Sequence, residues 1–72
     1  MELKPKKLNS QSDVEALISD LQAMQVAREI KLTRGSLSLG AIIDAEFTSN
    51  GQRWRVHGIN DAHGGVTLDR IS

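Results

Sequence analysis

The densest run of side chains able to do chemistry lies between Asp44 and His57, where the chain reads DAEFTSNGQRWRVH. Arg53, Arg55 and His57 alternate with Trp54 and Val56. In an extended segment that spacing puts the three basic groups on one face and the apolar pair on the other. A stripe of this kind can grip phosphate oxygens without reading base sequence. With Arg34 and the lysines Lys4, Lys6 and Lys7, it forms the candidate surface for nucleic acid or another partner.

The same stretch supplies acids to oppose those bases. Asn50-Gly51, flanked by alternating apolar residues, is the strongest short-range signal for a two-residue hairpin turn. Centring the turn there sets Ser49 against Gln52, Thr48 against Arg53 and Phe47 against Trp54. Farther out, Glu46 faces Arg55, Ala45 faces Val56 and Asp44 faces His57. The only two aromatics thus meet on one face, and acid meets base twice on the other. Pairs of these kinds contribute about 0.2–1 kcal/mol each, and a one-residue slip would send every side chain to the wrong face. In this register Arg53 alone lacks an opposing carboxylate.

Other chemistry is thinly supplied. His57 and His63 with Asp44 or Asp61 lack helical i, i+4 spacing and any cysteine partner, so no metal site is expected. His63-Gly64-Gly65 could form a backbone nest for an anion, but turn geometry accounts for adjacent glycines. No phosphate loop or dinucleotide fingerprint occurs. Asp44, Glu46, Asp61 and Asp69 are carboxylates that no motif pairs, and so small a fold is not expected to enclose a pocket of ordinary size. Neither an enzyme nor a cofactor is expected.

Nine basic and nine acidic residues cancel. That balance argues against a general coat for nucleic acid or anionic membrane, whose affinity comes from excess Lys and Arg. With one Trp, one Phe and no Tyr, the chain lacks a stacking platform for single strands. There is no cysteine, no apolar run of membrane-spanning length and no signal-peptide start, so a cytoplasmic protein is expected. A chain of 72 residues buries only about 60% of the surface its unfolded form exposes, so modest stability is expected. Small domains without staples often recruit a second copy, which keeps a homodimer open.

The elements that position these groups follow from periodicity. Residues 1–11 read as a flexible basic arm, although Leu3 and Leu8 allow a short strand there. A single small α+β domain is expected over 12–72. Ser12-Asp13-Val14-Glu15 fits a capping box opening a helix. Val14, Leu17, Ile18, Leu21 and Met24 then form one apolar stripe, expected to cover the chain's own sheet. The pattern fades at 27–29. Ile30 and Leu32 suggest a short strand, Arg34-Gly35-Ser36 a turn, and Leu37 and Leu39 a second alternation before Gly40. After Ile59, a loop at 60–65 leads to a last strand through Val66 and Leu68, ending or bulging near Arg70. The expected core is Val14, Leu17, Ile18, Leu21, Ile43, Phe47, Trp54, Val56, Val66 and Leu68.

One N-terminal helix and three to five short strands predict an antiparallel meander, or a half-open barrel whose outline is similar to SH3-like barrels. The function expected is a non-enzymatic protein-interaction module: a small adaptor, inhibitor or assembly factor, with a phage or other mobile-element origin suggested by size alone. The alternative is a nucleic-acid-binding module that uses the Arg/His stripe and the lysine arm.

Overall fold

A computed structural model describes residues 3–60 and 65–71. The chain runs β1 (Lys6–Leu8), α1 (Gln11–Val26), β2 (Lys31–Ser36), β3 (Ile42–Ser49), β4 (Gln52–Ile59) and β5 (Gly65–Arg70). All the strands join one antiparallel sheet in the order β1-β5-β4-β3-β2. Strands β2 to β5 are a meander, and β1 adds to its far side. The sheet is open, with β1 and β2 at opposite edges. This is the meander form of the expected α+β fold.

The linkage from β1 to β2 has to cross four strand spacings, about 19 Å. The 16-residue helix α1 spans about 24 Å and makes that crossing over one face of the sheet. Its stripe of Val14, Leu17, Ile18, Leu21 and Met24 is buried there against Ile43, Ala45, Phe47, Trp54, Val56, Val66 and Leu68. Ile30 and Leu37 close the core at the edge of the meander. The Gln22 amide donates to the Leu37 carbonyl at 2.6 Å, fastening the helix to the loop after β2. Among the described residues, the opposite face of the sheet carries no helix.

The ends of the helix follow different chemistry from that expected. The N-cap is Ser10, not Ser12, and no side chain caps it; the Ser10 and Ser12 hydroxyls bond each other at 2.9 Å. The helix starts earlier because the Ser10 carbonyl accepts from the Val14 amide at 3.0 Å, closing the first turn one residue before Gln11. At the C-terminus the Arg28 amide donates to the Gln25 carbonyl and the Glu29 amide to Met24 at 2.8 Å. These are the two bonds of a Schellman ending, which wants glycine at the left-handed residue. Arg28 holds that position at φ 62°. Arg28→Gly is therefore expected to stabilise the fold by about 0.5–1 kcal/mol, raising Tm by a few degrees in a thermal melt. A lower Tm would mean that Arg28 makes contacts outweighing its backbone strain.

The short strand that the sequence leaves open in residues 1–11 is present, and two further expectations are corrected. Residues 1–11 include β1, whose Lys6, Lys7 and Leu8 pair with Leu68, Thr67 and Val66. Leu8 packs partly buried against the core, and this anchors a segment that its lysines made look like a solvated arm. Arg34-Gly35-Ser36 lies inside β2 instead of turning, and 37–39 is not a strand. Gly35, at φ 75°, lies so close to β3 that an added Cβ would sit 2.2 Å from the Asp44 carbonyl. The strand continues past a residue that reads locally as a breaker. By contrast, β5 ends at Arg70, as the phase change before Ile71 indicates.

Candidate functional site

The uncovered face of the sheet collects nearly all the polar chemistry. The hairpin places it there: Asn50 at φ 52° and Gly51 at φ 75° make a type I′ turn, and every pair from Ser49↔Gln52 to Asp44↔His57 takes the register expected from the sequence. Phe47 and Trp54 therefore go inward, while Asp44, Glu46, Arg53, Arg55 and His57 go outward.

Arg34 organises this face, and a bulge puts it there. In β2, Leu32 pairs with Phe47, but Arg34, not Thr33, pairs with Glu46. Without the extra residue Arg34 would stand opposite Ala45, pointing into the core. The bulge re-aims it outward, and the Thr33 hydroxyl donates to the Glu46 carbonyl at 3.0 Å. The Arg34 guanidinium grips both Asp44 oxygens through Nη1 and Nη2, at 3.2 and 2.9 Å. Its Nε donates to Glu46 Oε2.

The ion pairs differ from the direct cross-strand ones expected. Arg55 Nε reaches diagonally to Asp44 Oδ1 at 3.4 Å, and Arg53 Nη2 reaches Glu46 Oε1 at 3.4 Å. His57 Nε2 lies 3.4 Å from Asp69 Oδ2 on β5, and so turns away from Asp44. Arg53, which seemed unopposed, has a carboxylate after all. Asp44 and Glu46 turn aside because Arg34 offers each a shorter, charge-assisted contact. One row across the sheet reads Arg34, Glu46, Arg55, Asp69, alternating in sign over β2, β3, β4 and β5.

Arg34 holds both carboxyls below the usual carboxylate range, chiefly by hydrogen bonding, and the two acids raise the pKa of Arg34 in turn. A depressed carboxyl stabilises the fold above its unfolded pKa of about 4, and that contribution fades as pH falls through the folded value. Arg34→Ala should therefore narrow the stability gap to wild type as pH drops from about 6 toward 2, and return both carboxyls toward ordinary values in an NMR titration. A gap constant with pH would mean that Arg34 acts by packing alone.

The remaining candidates are dispersed. Lys4, Lys6 and Lys7 are exposed at the β1 side, the width of the sheet away from Arg34. Register puts Lys7 on the outer face with Thr67, and Lys6 on the helix side with Leu68. Asp61, His63 and Gly64 lie outside the described residues, among which no three His, Asp or Glu groups converge as for a metal. No described helix is long and apolar enough to cross a membrane.

Two features escaped the sequence reading. Ile42 and Ile59 pair across β3 and β4 on the outer face, 76% and 51% exposed. They stand two residues from Asp44 and His57, in phase with them, and that spacing signalled the exposure. The second is an open groove of about 860 Å3 beside the hairpin turn, lined by Leu3, Pro5, Gln52, Trp54 and Arg70 among others. The Trp54 indole N–H has no acceptor among the described residues.

No family model matches the chain, and neither a curated protein nor a solved structure shows significant similarity to it.

Proposed function

We propose that the chain is a non-enzymatic protein-interaction module, a small adaptor, inhibitor or assembly factor, and that the outer face of its sheet is the surface that meets the partner. The observation that carries this reading is that Arg34, Arg53 and Arg55 each already hold a carboxylate of the same face. A phosphate backbone would have to displace those acids and then meet them as like charges. A protein surface with its own mixed charges can match the pattern in place, since complementary potentials favour one partner and register over others. Ile42 and Ile59 add apolar area beside the charges, as interface centres do.

The nucleic-acid alternative has less support. Its lysines and Arg34 lie at opposite edges of the sheet, and the chain has no net positive charge to drive an encounter. Immobilised wild type is expected to retain a protein that an Ile42→Ser, Ile59→Ser variant releases. Both side chains are exposed, so the variant should melt like wild type. Equal retention by the two would overturn the outer-face reading.

A further inference from the structure

Resting on that reading, we propose that the outer face docks a second copy of this chain, face to face, about a two-fold axis running along the strands between β3 and β4. Such an axis lays each strand over a different strand of the partner. β3 covers β4, and β2 covers β5. Positions along the strand are kept, so every outer residue meets the copy of its own cross-strand neighbour. Glu46 meets Arg55, Asp44 meets His57, and Ile42 meets Ile59. Arg34 meets Asp69 by the same operation, because they end the row Arg34, Glu46, Arg55, Asp69.

Acid falls on base and apolar on apolar at each of these positions, twice per dimer. The match follows from sign alternation across an even number of strands. An isologous interface requires self-complementarity of this kind. Two sheets packed this way lie about 10 Å apart with strands roughly aligned, a gap that arginine and glutamate side chains can fill.

The area is modest. The overlapped face is the four strands β2 to β5, six to eight residues long, or about 450 Å2 at ordinary strand spacings. Two copies bury roughly 900 Å2, the size of a weak, transient interface. A reversible dimer is expected, weakened by salt because its contacts are largely ionic. A 72-residue chain without cysteine gains from such pairing.

The test is a charge swap, read by sedimentation or light scattering on the full chain. Wild type should rise toward twice the monomer mass between about 10 μM and 1 mM at low salt, and fall back in about 0.5 M salt. Glu46→Arg and Arg55→Glu should each stay monomeric, since each sets like charges against like at two contacts. Their equimolar mixture should dimerise, because only the mixed pair restores opposition at both. Any loss of fold in a single variant is not cured by mixing, so melts are run alongside. If either variant is unfolded, Arg34→Glu mixed with Asp69→Lys asks the same question at the ends of the row. A monomeric wild type at every concentration, single variants that still dimerise, or a mixture that stays monomeric would overturn the proposal. Should the chain remain monomeric while the Ile42, Ile59 variant still releases a captured protein, the second copy is excluded and the interaction surface stands.

Discussion

Trp54→Ala is expected to destabilise the fold by about 3–5 kcal/mol, as truncation of other buried aromatics does. Trp54 is 3% exposed and pairs with Phe47, which is fully buried, on the helix side of the sheet. The chain has no other aromatic to fill the space. The indole N–H has no acceptor among the described residues, so the loss is one of packing and apolar burial, with little hydrogen bonding to forfeit. In a small domain that loss is a large share of the total stability. Denaturant melts of wild type and variant measure it directly. A midpoint scarcely moved would mean that Trp54 belongs to the neighbouring groove and not to the core.

Gly58→Ala is expected to cost about 3 kcal/mol or more, and Gly51→Ala much less. Both glycines have positive φ, 149° and 75°. At Gly51 an added Cβ meets nothing within 4 Å, so only the backbone preference opposes it. At Gly58 the Cβ would lie 2.0 Å from the Gly65 carbonyl and 2.8 Å from Val66 Cα. Neither neighbour is the end of a flexible side chain. β5 would have to move, and with it Val66 and Leu68, both fully buried. Comparing the two variants by denaturant midpoint separates steric conflict from conformational preference. Equal effects would show that β5 yields at little cost.

What was legible in the sequence tracks how local the cause is. The β3–β4 register follows from Asn50-Gly51 and a period of two, all within the 14 residues from Asp44 to His57, and it holds pair for pair. The helix stripe is likewise local. The rest depends on which strand arrives beside which. Nothing near Gly58 announces β5, so its close approach is hidden in a segment that reads as ordinary strand. Arg34 looked like part of a turn because Gly35 follows it, yet the bulge at Thr33 turns it outward to take both acids. That one non-local arrival redirects every ion pair on the face. Arg55 and Arg53 settle for diagonal contacts, and His57 for Asp69. The candidate residues Arg53, Arg55 and His57 do share a face with Arg34. Of the lysines in β1, Lys7 shares that face, in the row of Thr67 and His57, while Lys6 falls on the helix side, because β1 is placed at the edge opposite β2 by long-range pairing with β5.

The central claim, that the arginines of the outer face serve a protein contact and not a phosphate backbone, is tested most directly by titrating the chain against random-sequence DNA and RNA over a range of salt. No binding is expected at physiological ionic strength, with or without Arg53 and Arg55. Tight binding that weakens steeply with salt, and whose salt slope falls by about two units when both arginines are replaced, would show two phosphate contacts and contradict the account.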